Sequence, residues 1–247
     1  MVNILDTAPF RRRILLYGAT MQRLKEQAYE ATLFLPEHKL VVLTWGNVSA
    51  FDAKRGLMAI KPSGVRYADL TPAMMVVLDC NGRVVDGDLR PSSDTPTHLA
   101  LYRAFPELGG IAHTHSRWAT IWSQMCRPIP RMGTTHADTF ATDIPCTRVL
   151  GEDETKNGYE ANTGKALAEA MTGLSPLHTP AALVAGHGPF TWGKTALAAA
   201  EHALILEEVA AMAWHTAVLN PDSRLPAHIG LVHFLRKHGP NASYGQG

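Results

Sequence analysis

The residues best placed by type and spacing to do chemistry are His113 and His115, in the run IAHTHS. Twelve histidines in 247 residues give about 0.6 such i, i+2 pairs by chance, so the neighbourhood must decide. The run GGIAHTHS reads as a short apolar strand, on which side chains two apart share a face with their Cα atoms about 6.5 Å apart. Two imidazoles on one face can converge on a single ion, with Thr114 directed away. His187, in VAGHGPF, closes a second apolar run beside glycines that permit close backbone approach. Asp94, in RPSSDTPTH, precedes a helix, where a carboxylate is also ordinary. Three neutral imidazoles and one carboxylate form a donor set suited to a zinc-type divalent ion, provided the fold assembles them. Taken singly, each has an everyday structural role.

Three further stretches, TWGNVS, KPSG and PSSD, combine backbone donors with short hydroxyls and, in the second, Lys61. Such loops suit a monophosphate, and each also reads as common turn chemistry. The chain has neither a Walker loop nor a dinucleotide fingerprint, so no nucleotide cofactor is implied.

The rest of the composition narrows the class. A net charge of +1 with interspersed signs shows no cationic footprint for nucleic acid. Cys80, Cys126 and Cys146 stand far apart, unlike a disulfide framework or a cysteine-rich zinc site, and a reducing cytoplasm fits them. The apolar part of FRRRILLYGAT is too short for a signal core, and no apolar run approaches the roughly 20 residues of a spanning helix. A soluble, cytoplasmic protein is expected.

The elements that must carry these residues follow from periodicity. Apolar positions Met21, Leu24, Ala28, Ala31 and Leu35 predict an amphipathic helix from about Ile14 that ends near Pro36. KLVVLTWGNVSAF and GLMAIKPSG read as a strand pair around DAKRG, and MMVVLDCNGRVVDG as a hairpin turning at Asn81-Gly82. TPTHLALYRAF predicts a helix behind a Thr cap and Pro96, and RWATIWSQMC another. AALVAGHGPFTWG reads as one buried strand with a Gly-rich turn, followed by a long Ala-rich helix and a last helix in LVHFLRKHG. Mostly antiparallel strands bounded by helices predict a single domain, either a three-layer α/β/α arrangement with a mainly antiparallel central sheet or an α+β one.

In order along the chain, LTWGNVSA, IKPSG, PSSDTPTH, GGIAHTHS, GTTHAD, IPCTR, HGPFTWGK, LEEVA and LRKHG with a terminal YGQ closely resemble the L-ribulose-5-phosphate 4-epimerases. These belong to the class II aldolase and epimerase superfamily, which includes L-fuculose-phosphate aldolase and the adducin head. The resemblance covers residues 21–247 as a single domain and leaves 1–20 as an N-terminal extension. It implies the class II aldolase fold and one divalent metal per subunit, held by Asp94, His113, His115 and His187. Zinc is the first choice, with manganese and cobalt open.

The resemblance further implies that the substrate phosphate sits among Gly46, Asn47, Ser63, Gly64, Ser92 and Ser93, near Lys61, and that His233 helps bind substrate. The implied reaction interconverts L-ribulose 5-phosphate and D-xylulose 5-phosphate, as in arabinose catabolism, through retro-aldol cleavage of C3–C4, rotation of the aldehyde and re-addition. Asp138 and Tyr244 are the implied acid/base pair, delivered to a neighbouring subunit in a C4-like homotetramer.

The chain departs from the family in having Ala185 and Gly186 before His187, where another histidine is common, in a slightly shorter loop around CNGRVVDGDLRPSSD, and in the extension. An aldolase acting on a related sugar phosphate is the nearest alternative. There the acidic residue is typically a glutamate, whereas Asp94 is one methylene shorter and better suited to a fixed ligand. An epimerase for another pentulose phosphate also stays open. A non-catalytic module like the adducin head would have no need of the histidine set.

Overall fold

The computed structural model describes residues 10–240 and Ala242. Its centre is a seven-stranded sheet in the order β4-β3-β2-β1-β5-β7-β6, antiparallel at every junction. Strands β1 (Asn47–Asp52) and β2 (Leu57–Ile60) pair around a turn in which the Asp52 carboxylate accepts from the backbone N–H groups of Lys54 and Arg55. Strands β3 (Val76–Asp79) and β4 (Val84–Asp86) repeat the device. Asp79 there accepts from Asn81 and Arg83, and Gly82 takes a φ of +80°. Short acidic side chains that imitate a backbone turn are the local reason these runs fold back on themselves.

The inner strands are apolar on both faces because helices cover both. Leu57 and Ala59 of β2, Val77 of β3 and Ala112 of β5 (Gly110–His113) pack with α1 (Phe10–Glu37) and the first turns of α7 (Ala196–Leu219). Met58 and Ile60, Val76 and Leu78, and Ile111 face the other way. They meet α2 (Thr95–Ala104), α6 (Tyr159–Ala170) and β7 (Pro189–Gly193). The period-two alternation therefore separates two cores across one sheet, the three-layer α/β/α arrangement expected from the sequence. A third apolar cluster joins the far half of α7 to α3 (Arg117–Gln124) and β6 (Ala181–Leu183). The short helices α4 (Thr134–Ala137) and α5 (Glu152–Lys156) and the final α8 (Ala227–His238) complete the eight helices among the described residues.

Several elements differ from the sequence reading. Residues 40–46 are not strand: Leu43 and Gly46 have φ of 55° and 78°, which no strand accommodates, and Val42, Leu43 and Trp45 are exposed. AALVAGHGPFTWG is two strands, β6 and β7, with His187 in the turn between them. Strand β5 stops at His113, so His115 lies just beyond it. Helix α1 begins at Phe10 and runs without a break through residue 20, carrying Pro36 in its last turn. The cap of α2 is Asp94 rather than a threonine.

Candidate metal centre

The site forms where β1 begins and β5 ends, since Asn47 and His113 are register partners in that pair. Beside them the loop after β2 is zipped to the loop before α2. Ser63 N–H donates to Arg90 O at 2.9 Å, and Ser92 N–H donates to Lys61 O at 3.0 Å. The β6–β7 turn brings His187 in from the opposite side. The result is a cavity of about 380 Å³.

Its walls hold each expected phosphate-loop residue: Gly46 and Asn47, then Lys61, Ser63 and Gly64, then Ser92 and Ser93. Asp94, His113, His115 and His187 line it as well. Thr44, Trp45 and Pro62, from the same loops, complete the lining together with Tyr159 and Glu160, which no motif announced.

One ring nitrogen from each of His113, His115 and His187 lies within 4.8 Å of the others, a group able to hold a metal ion. His115 Nε2 and His187 Nε2 are 2.9 Å apart, near the separation of about 3.3 Å that two nitrogens keep on one tetrahedral ion. His113 Nδ1 sits 2.9 Å from Pro189 O, and a carbonyl only accepts, so the hydrogen is on Nδ1 and Nε2 is left as a lone-pair donor. Burial pushes His113 down to about 3, against the opposing charge of Asp94, and burial also lowers His115 and His187. Neutral imidazoles are the form that ligates, so the donor set fits a zinc-type divalent ion.

Asp94 caps no helix donor with its side chain. Its Oδ2 accepts from Asn47 Nδ2 at 2.6 Å, and that amide also donates to Ser92 Oγ at 3.1 Å. Burial raises the Asp94 carboxyl, but His113, His98 and the Asn47 amide outweigh it and leave a net lowering, so a carboxylate faces the cavity. It stands outside the 4.8 Å histidine group. Asn47 Oδ1 is buried without a partner, an acceptor available to a ligand hydroxyl. Lys61 is 2% exposed, its ammonium 5.1 Å above the Tyr67 ring, and burial lowers its pKa. The Tyr67 hydroxyl donates to Trp45 O at 2.5 Å, pinning the loop that ends in Gly46.

Asp138 and His233 are brought together, but elsewhere. His233 Nδ1 lies 3.0 Å from Asp138 Oδ1, Lys237 Nζ is 3.3 Å from Oδ2, and His238 Nε2 donates to the Asp138 carbonyl at 2.9 Å. Neither residue lines the cavity. Tyr244 lies outside the described residues. Among those residues no helix is long and apolar enough to cross a membrane.

The family model for class II aldolase and adducin N-terminal domains matches residues 26–214, and the chain belongs to that family. With its histidine group, it is a class II aldolase/epimerase-type protein able to hold a metal. Among solved structures it is similar to an L-fuculose 1-phosphate aldolase at 26% identity and TM-score 0.74, covering 85% of this chain and 94% of that one. It shares its fold with the L-fuculose 1-phosphate aldolase of Glaciozyma antarctica PI12, at 18% identity and TM-score 0.72 over 91% of this chain and 85% of that one. The same holds for YgbL from Klebsiella pneumoniae, at 24% identity and TM-score 0.68 over 86% and 98%.

Proposed function

We propose that the protein is a metal-dependent pentulose-phosphate 4-epimerase, interconverting L-ribulose 5-phosphate and D-xylulose 5-phosphate. The observation that carries this reading is the convergence of three imidazoles and three donor-rich loops in one cavity. Family membership supports a sugar phosphate as substrate and a divalent metal, zinc first, at His113, His115 and His187, with Asp94 as a fourth ligand.

Carbon 4 of the substrate adjoins no carbonyl, so removing its hydrogen directly is too costly. Breaking C3–C4 instead leaves an aldehyde fragment that carries the phosphate and a three-carbon fragment that carries the negative charge. A bound divalent ion supplies the Lewis acidity that stabilises such charge. Asn47, Ser63, Ser92 and Ser93 hold the phosphate while the aldehyde presents its other face, and Lys61 balances its charge. An acid/base group is then needed on each side of the C4 oxygen, the roles of Asp138 and Tyr244.

Asp138 stands away from the cavity of its own chain, and this supports sites shared between subunits of a homotetramer, with domain 21–247 sending its tail to a neighbour. The exposed apolar side chains of Val218, Leu219, Leu231, Val232 and Leu235 offer surface for that assembly. An aldolase on a related sugar phosphate would use the same cavity and release the aldehyde.

The reaction run in D2O tests the bond-cleavage route. Retro-aldol chemistry keeps the original hydrogen on C4 throughout, so the product carries no deuterium there. Deuterium at C4 would exclude the route.

A further inference from the structure

Tyr159 has no place in the motifs read above, yet its hydroxyl lies 3.0 Å from His187 Nδ1. The backbone puts it there. Gly158, with φ of +99°, turns the chain from α5 into α6, so that Tyr159 becomes the first residue of the helix. Thr97 of α2 donates to Glu160 O at 2.6 Å, and Thr163 donates to Tyr159 O at 2.8 Å, so the start of α6 is tied both to α2 and to itself. The ring reaches the cavity wall from this anchored position.

The chemistry of the contact differs from that at His113. A carbonyl fixes the His113 hydrogen on Nδ1, whereas a phenol can donate or accept. When Tyr159 accepts, the His187 hydrogen is on Nδ1 and Nε2 carries its lone pair toward His115 and the centre of the group. No other hydrogen-bond partner of His187 Nδ1 is present among the described residues, so removing the hydroxyl frees both the tautomer and the ring orientation.

We infer that Tyr159 is a positioning residue, which holds His187 in the tautomer and orientation that bind a divalent metal. The inference rests on the metal reading of the three-histidine group. β6–β7 presents His187 on a five-residue turn with Gly186 at φ of +73°, so its ring is oriented by a side-chain partner rather than by a strand.

The test is the Tyr159→Phe variant of the full chain, which keeps the ring and removes only the oxygen. Zinc affinity is measured by competition with a chromophoric chelator, alongside the visible absorption of the cobalt-loaded protein and the melting temperature of the metal-free protein. The zinc dissociation constant is expected to rise about 10- to 100-fold and the cobalt bands to shift, with the metal-free melting temperature little changed. Added to His187→Ala, the same substitution is expected to cost nothing further. Wild-type affinity in Tyr159→Phe, or an equal loss in both backgrounds, would overturn the inference while leaving the metal site standing. Failure of the wild-type chain to take up zinc would overturn both.

Discussion

His113 is the ligand candidate with the most fixed surroundings, 2% exposed, stacked at 4.2 Å on Phe190 and bonded to Pro189 O. His113→Ala is therefore expected to abolish metal uptake and turnover together, as metal analysis of the purified variant will show; full zinc content would remove His113 from the site. Asp138→Asn is expected to separate the two properties, keeping metal while turnover falls at least about 100-fold, the low end of what a positioned acid/base supplies. Full activity in that variant would exclude Asp138 from the mechanism. The type and spacing of His113 and His115 made them legible in the sequence, because residues two apart stay on one side even where, as here, the strand ends between them. His187 was legible as a residue but not as a turn residue, since a strand pair split by Gly186 and Gly188 reads as one apolar run. Tyr159 was not legible at all. Only a hydrogen bond across 28 residues distinguishes it from any other tyrosine near the start of a helix.

Helix α6 brings Tyr159 and Glu160 to the cavity, Asp94 reaches it from just before α2, and the two helices lie against each other through Gly164. A Cβ at that position would meet Ala100 Cβ at 2.6 Å and Thr97 O at 2.9 Å, both on a packed helix with no room to move. Gly164→Ala is expected to destabilise the fold by about 1–3 kcal/mol and to weaken metal binding by shifting Tyr159 and Asp94 apart, read from denaturant midpoint and zinc affinity. An unchanged midpoint would mean that the two helices are not rigidly packed there. The hairpins and long helices were legible because their signals are local: an Asn beside a Gly at the β3–β4 turn, the alanine-rich run of α7, a 3.6-residue apolar period in α1. Residues 40–46 were misread because their β-branched and apolar content matches a strand. The positive φ values at Leu43 and Gly46 override that preference. Helix α6 gave no clear period, being rich in alanine and polar residues, so the element that carries Tyr159 and Glu160 was missed.

For the whole molecule, burial of histidines ties stability to pH. Burial pushes His98 and His136 down to about 4 and His113 to about 3, against an ordinary value of 6.5. Between those limits the unfolded chain binds protons that the folded chain does not, so stability of the metal-free protein falls as pH drops from about 6.5 toward 4. The slope is roughly 1.4 kcal/mol per pH unit for each such histidine. The lowered Asp94 acts in the same direction as pH falls further. Denaturant midpoints across this range check it, and a flat profile would contradict the buried neutral assignment. The antiparallel sheet between helical layers followed from alternation and element lengths, but the separation of Asp138 from the histidine cavity could not, because it depends on long-range packing rather than on local pattern. That separation predicts complementation: mixed oligomers of His113→Ala and Asp138→Asn chains regain activity that neither variant has alone. Activity that stays absent on mixing, in confirmed mixed oligomers, would place both residues in a site built by one chain.

The most direct measurement is the product analysis. Zinc-loaded protein is incubated with L-ribulose 5-phosphate, and D-xylulose 5-phosphate and free glycolaldehyde phosphate are followed together, with and without a chelator. The account predicts D-xylulose 5-phosphate that disappears with the chelator and no free aldehyde. Accumulating aldehyde, or conversion indifferent to the chelator, would contradict it.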